Sequence, residues 1–150
     1  MRIVVQRVLS ASVSASDERY VAIGSGLLVL LGIAPDDADK DITWMTRKIA
    51  ALRIFNDSAG KMNLSLKEIA GEVIVVSQFT LYADASRGNR PGFSASAQFD
   101  QAQPLYECFI QKLEQELDKP VMTGWYGADM QVSLVNDGPV TLIINSPKCP

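Results

Sequence analysis

Two polar segments carry side chains of the types and spacing that could do chemistry. Ser77-Gln78-Phe79-Thr80 puts two hydroxyls, one carboxamide and one aromatic face within four residues. Hydroxyls and carboxamides both donate and accept hydrogen bonds, and an aromatic face can stack on a base. The same residue types at a strand end usually satisfy nearby backbone groups, so composition alone favours a structural role. The second segment is Asn136-Asp137-Gly138-Pro139-Val140-Thr141. Asp-Gly commonly closes a tight hairpin. Here Pro139 would open the return strand without an amide to give, which frustrates a simple hairpin. An X-Pro bond is cis at a cost of only about 0.5–1 kcal/mol. A cis Gly138-Pro139 bond would aim the neighbouring carbonyls in one fixed direction; an ordinary turn is the other reading.

What is missing narrows the chemistry further. The chain has no histidine, which excludes Ser-His and Cys-His nucleophiles and histidine-held metals. A hydrolase built on it must activate water without imidazole. The two cysteines, Cys108 and Cys149, follow neither metal nor redox spacing. Cys108, beside Phe109 in a helical pattern, reads as core, and Cys149 as part of a loose tail. No P-loop, dinucleotide fingerprint or zinc-protease motif is present, so neither metal nor cofactor is expected. A net charge of −3 argues against broad nucleic-acid binding, which depends on neutralising many phosphates. It still allows one end of a nucleic acid to be recognised through a few basic groups. Arg87 and Arg90, in Ser86-Arg87-Gly88-Asn89-Arg90-Pro91, could meet phosphate or simply be solvated. Arg7 shares a predicted strand face with Ile3 and Val5. If buried, it needs carbonyl or carboxylate partners; otherwise it reaches solvent at the sheet edge.

These residues need a frame to hold them. Residues 2–8 alternate as a strand, and the pattern continues loosely through 10–14 before a turn near Ser16-Asp17-Glu18. Residues 26–34 and 72–76 are nearly continuous apolar runs, as expected of strands covered on both faces. Asp36 to Arg53 reads as an amphipathic helix with Ile42, Met45, Ile49 and Leu52 on one stripe. Its aspartates, Asp36, Asp37, Asp39 and Asp41, suit the positive end of the helix dipole and read as a solvated face. Residues 56–61 form a turn, with an irregular piece to Gly71. Residues 83–96 are a long polar loop of a kind that is often functional. A second helix spans about 100–118, with Ala102, Tyr106, Phe109, Leu113 and Leu117 inward. Pro104 is expected to be tolerated only in its first turn. Strands follow at about 121–126, 130–136 and 140–145. The class is α/β or α+β: a mostly antiparallel, barrel-like sheet with two long helices.

At 150 residues and 47% hydrophobic content, residues 1–150 fit one domain that buries roughly 70% of its unfolded surface. The longest apolar run, Leu27 to Leu31, is far shorter than the ~20 residues of a membrane span. Gln6 and Arg7 interrupt what would otherwise resemble a signal segment, so a cytoplasmic location is expected.

The chain resembles the D-aminoacyl-tRNA deacylase family over nearly its whole length. The match includes Gln6-Arg7-Val8, Gly26-Leu27-Leu28-Val29-Leu30-Leu31-Gly32, Leu52-Arg53-Ile54-Phe55 and Gly60-Lys61-Met62-Asn63. It continues through Val75-Val76-Ser77-Gln78-Phe79-Thr80-Leu81, Gly127-Ala128-Asp129-Met130-Gln131-Val132 and Ser133-Leu134-Val135-Asn136-Asp137-Gly138-Pro139-Val140-Thr141. In this order the segments are specific. The resemblance implies a proofreading hydrolase of translation quality control that cleaves the ester between a D-amino acid and the 3′-terminal adenosine of tRNA. Glycyl-tRNA is implied as a second substrate, because glycine has no side chain to exclude. The resemblance also implies a homodimer in which a cis Gly138-Pro139 bond enters the partner's pocket and rejects L-aminoacyl-tRNA.

The roles it implies are Gln78 and Thr80 at the reaction centre and Ser77 and Phe79 in the pocket. Ala102 would offer a carbonyl to the substrate amine, and Tyr126 and Met130 would line the adenosine side. Arg7 would hold the Gly138-Pro139 loop. The tRNA's own 2′-hydroxyl is implied to help activate water, which suits a chain without histidine. A nucleophilic Thr80 is the competing mechanism, but no side-chain base is evident for it. Gly92 and Trp125-Tyr126 depart from the family's common Ser and Arg-Phe. Other functional readings are a related editor with a trans Gly-Pro bond and relaxed chirality, a non-enzymatic RNA-binding module, and a hydrolase of small esters.

Overall fold

The computed structural model describes residues 1–147; the predicted loose tail at Cys149 lies outside them. Strand β1 (Arg2–Ala15) is the spine of a six-stranded sheet. Along one edge it pairs antiparallel with β2 (Tyr20–Ile23) and then β3 (Gly26–Gly32). Along the other it pairs antiparallel with β8 (Met130–Asn145). Beyond β3 come β6 (Glu72–Ser77) and β7 (Met122–Thr123), both parallel. The sheet is mixed and curls toward a barrel, with β2 near β6 and β7. Helices α1 (Asp39–Ala51) and α2 (Phe99–Leu117) pack on each other and on the sheet.

The two apolar runs are covered on both faces. Leu27, Val29, Leu31, Val73 and Val75 join the helices in the larger core. Leu28, Ile74 and Val76 point the other way, into a smaller cluster with Val8, Ala11, Val13 and Ile23. The loose alternation in β1 has a physical cause. Val8 faces Asn136 and Ser10 faces Val135, so Leu9 is an extra residue opposite β8. This bulge changes the phase of the pleat and turns Ala11 and Val13 to the face of Val8.

The predicted α2 stripe is buried in full, including Phe109 and Leu113 with no exposure. Burying each such side chain contributes about 1.5–3 kcal/mol. Because α2 begins at Phe99, Pro104 lies just past the first turn, not within it. Its missing amide leaves the Asp100 carbonyl without its usual helical partner. Cys108 is only half-buried, at the margin of the core.

The expected solvated face at the start of α1 needs correction for two aspartates. Asp41 is buried and accepts hydrogen bonds from the Ala38 amide (3.0 Å) and the Ser146 hydroxyl (2.8 Å). Asp37 pairs with the buried amino group of Met1, which also donates to Ser146 at 2.8 Å. Sequence reading also missed β2 and the small hairpin of β4 (Phe55–Asn56) with β5 (Met62–Leu64), which closes over the predicted 56–61 turn. The predicted 121–126 strand shortens to the two residues of β7.

Residues 130–145 form one strand, where two strands separated by a turn were expected. Thr141 pairs with Gln6 and Asn136 with Val8, so four residues of β8 stand opposite Arg7 alone. The frustrated Asp137-Gly138 hairpin resolves as an outward bulge, and both halves of β8 stay on β1.

Candidate active site

The end of β6 supplies one wall of a cleft of about 560 Å³. Ser77 pairs with Leu31 across the parallel ladder, and the Gln78 amide donates to the Leu31 carbonyl at 2.8 Å. The chain then turns into a short 3₁₀ segment, Phe79–Tyr82, packed close to Gly32. A Cβ on Gly32 would lie 3.1 Å from that of Leu81 and 3.2 Å from the Gln78 carbonyl oxygen. The fixed end of a buried strand therefore holds Ser77, Gln78 and Phe79 on the cleft wall.

The opposite wall comes from α2 and the segment before β8. Ala102, Tyr126 and Met130 line the same cleft as Ser77, Gln78 and Phe79. Tyr126 packs against Phe99 and Tyr106, with ring centroids 4.9 and 5.4 Å apart, and its hydroxyl lies 3.4 Å from the Phe99 carbonyl oxygen. Gly127 lets Phe99 approach this closely. It has φ +74°, and a Cβ there would meet the Phe99 ring at 2.5 Å. Burial raises the pKa of the Tyr126 hydroxyl above its ordinary value, and the Ser77 side chain opposes that shift. Tyr126 is therefore a neutral donor at physiological pH.

Thr80, expected at the reaction centre, is exposed and does not line the cleft; its hydroxyl oxygen accepts a hydrogen bond from the Gln78 carboxamide of the cleft wall. That contact draws electron density from the oxygen and takes no proton from it. Among the described residues, the one carboxylate on the cleft wall is Asp129, exposed next to Met130. The wall is otherwise apolar or neutral, suited to an uncharged planar group with a few hydrogen bonds.

Several lining residues were not singled out from sequence: Phe93, Ser96, Gln98 and Phe99 among them. Phe93 meets Phe79 edge to face at 5.0 Å. A signal was available: Phe93 and Phe99 are isolated aromatics at the end of a Ser-, Gly- and Asn-rich stretch, where a folding core has no need of them.

Gly138, Pro139 and Arg7 do not line this cleft. Gly138 and Pro139 are exposed on the β8 bulge, and the bond between them is cis, not trans. Arg7 is buried behind the bulge. Its Nη1 donates to the Ile54 carbonyl at 2.7 Å, and its Nε lies 3.0 Å from the Asp137 carboxylate and 3.3 Å from the Asp137 carbonyl oxygen. Asn136 straps the base of the bulge, donating to the Thr141 hydroxyl (2.9 Å) and accepting from the Val140 amide (3.2 Å). Gly138 has φ +121°, and a Cβ there would sit 3.0 Å from Arg7 Nη2.

Residues 4–145 match the family model described as D-Tyr-tRNA(Tyr) deacylase. A D-aminoacyl-tRNA deacylase of Chlorobium limicola is 62% identical over 148 residues, covering 99% of each chain. A solved structure named c-Myc DNA Unwinding Element Binding Protein superposes with a TM-score of 0.92 at 41% identity, covering 99% of this chain and 100% of that one. A structure described as a probable eukaryotic D-amino acid tRNA deacylase shares the fold, with a TM-score of 0.84 at 17% identity over 95% of this chain and 97% of that one. The chain belongs to the D-aminoacyl-tRNA deacylase family, whose members are hydrolases acting on ester bonds.

Proposed function

We propose that this chain removes D-amino acids, and glycine, from the 3′-terminal adenosine of tRNA, and that it does so as a cytoplasmic homodimer of single-domain subunits. The observation that carries the reading is the convergence of Ser77, Gln78, Phe79, Ala102, Tyr126 and Met130 on one cleft of about 560 Å³. The adenosine lies toward Tyr126 and Met130, and the aminoacyl ester toward Gln78 and Thr80. The Ala102 carbonyl receives the substrate amine.

Catalysis in this reading is positioning. Holding the ester and an attacking water in a reactive arrangement can supply about 7–11 kcal/mol of the barrier. The 2′-hydroxyl of the substrate polarises the water, a role for which the cleft offers no imidazole. Thr80 contributes a hydrogen bond in concert with Gln78.

Chirality is set by the Gly138-Pro139 bulge of the second subunit. Met130 and Val132 border the cleft, whereas Gly138 is six residues beyond Val132 on the same strand. At about 3.3 Å per residue that is roughly 20 Å, so a chain cannot readily bring its own bulge into its own cleft. Among the described residues the outer edge of β8 is unpaired, and the strand carries exposed Val132, Val135 and Ile143, which supports a partner there. In the partner's cleft the bulge fills the space an L side chain would need, and a glycyl group passes.

The test compares D- and L-tyrosyl-tRNA ending in adenosine or 2′-deoxyadenosine, with the ester on the 3′-oxygen in each. Rapid release is expected for D, none for L, and a large loss without the 2′-hydroxyl. Equal release of D and L would refute the chirality assignment.

A further inference from the structure

We infer that the hairpin of residues 83–96 grips the single-stranded end of the substrate just before its terminal nucleotide, with Arg87 and Arg90 on phosphates and Phe93 offering a stacking face. This rests on the proposed function and extends it to a part of the protein outside the reacting centre.

The 83–96 segment is built, although its sequence reads as a loop. Asp84 and Gly92 exchange both backbone hydrogen bonds at 2.8 Å, closing residues 85–91 into a tip. The Asp84 carboxylate caps the Ser86 amide at 2.9 Å, and Gly88 takes φ +118° at the turn. The base of the hairpin is anchored to the cleft. Phe93 packs on Phe79, the Ser96 amide bonds the Phe93 carbonyl at 3.0 Å, and the Ala97 amide bonds the Ile33 carbonyl at 2.9 Å. The tip is thus tied at its base to a residue of the cleft wall, Phe93.

Its charge is the reverse of the molecule's. The chain carries −3 overall, yet residues 83–96 hold two arginines against one acid, Asp84 at the base. Arg87 and Arg90 are exposed, and among the described residues neither forms an ion pair. Phe93 keeps 37% of its surface open at the cleft rim. Two guanidinium groups on the same hairpin as an open aromatic face match the way single strands are bound, with cations on the backbone and aromatics under the bases.

The experiment measures equilibrium binding of uncharged tRNA against salt concentration. It needs no catalysis, so its outcome is separable from failure of the deacylase reading, which would appear as wild-type protein that releases no D-amino acid. Each phosphate contact to a single strand contributes about 0.7 to the slope of log affinity against log salt. The double variant Arg87→Gln/Arg90→Gln should flatten that slope by about 1.4. Arg87→Lys/Arg90→Lys should keep the slope, since a point charge still meets phosphate. Phe93→Leu should weaken binding about 5- to 150-fold, the range expected for one stacked base. With tRNA trimmed of its single-stranded 3′ end, the Gln variants and wild type should bind alike. An unchanged slope in the Gln double variant would overturn the inference. So would a full slope difference on trimmed tRNA, which would move the contact to the duplex.

Discussion

Replacing Arg7 with methionine keeps the approximate length of the side chain and removes its charge and all its donors. The Arg7 side chain is 7% exposed, and its Nη1 donates to the Ile54 carbonyl at 2.7 Å. A hydrogen bond from a charged donor contributes about 1.5–3 kcal/mol. The Asp137 carboxylate at 3.0 Å is 41% exposed, so solvent screening limits that ion pair to no more than about 1 kcal/mol. Arg7→Met should therefore cost about 2–4 kcal/mol, little of which a flexible thioether recovers. With a urea slope of about 2 kcal/mol/M, the unfolding midpoint should fall by about 1–2 M, measured at fixed protein concentration because the proposed assembly is a dimer. Under conditions where the variant stays folded, the ratio of D to L release should also fall by about tenfold or more, since small misplacements of positioning groups carry penalties of that order. Arg7→Lys should lie between the two. A midpoint unchanged within error would refute the energetic argument. A destabilised but fully stereoselective variant would refute the assignment of Arg7 to holding the bulge.

Three further outcomes are expected. Gly138→Ala places a Cβ 2.9 Å from Val140 Cγ2 at φ +121°, so it should destabilise by about 1–3 kcal/mol in thermal unfolding and lower D-over-L selectivity. Thr80→Ala should keep substantial single-turnover activity, because the Thr80 oxygen accepts from Gln78 and, among the described residues, donates to no side-chain base; complete loss in a folded variant that still binds substrate would favour the nucleophile mechanism. Asp41→Asn should lose about 1–2 kcal/mol at pH 7. Burial, the largest influence on Asp41, raises its pKa, but the Ala38 amide, Ser146 and the N-terminal ammonium together outweigh it and leave the value below the ordinary 3.8. A depressed folded pKa contributes stability above 3.8 that disappears as pH falls through the folded value. Wild type and variant should converge there in urea titrations; a gap that persists at lower pH would contradict this origin.

Much of the frame follows from near-neighbour spacing. The inward stripe Ala102, Tyr106, Phe109, Leu113 and Leu117 needs only the helical period, and the burial of residues 27–31 needs only an unbroken apolar run. Those patterns, with the long family match, identify a two-helix, barrel-like deacylase scaffold, and the sequence contains no histidine. Other features depend on contacts between residues far apart in sequence, which no local pattern encodes. Asp41 looked solvated because its partner, Ser146, is 105 positions away. Residues 130–145 looked like two strands because the feature that joins them is the continuous edge of β1, which keeps its pairing on both sides of the bulge. The cleft needed Ser77 from a strand end, Ala102 from a helix and Tyr126 from a turn to meet in space. Phe93 and Phe99 joined it only because closing the chain brings their rings against Phe79 and Tyr126. Periodicity reports which face of an element is apolar; which elements meet, and with which polar groups between them, is decided when the sheet curls and the helices close over it.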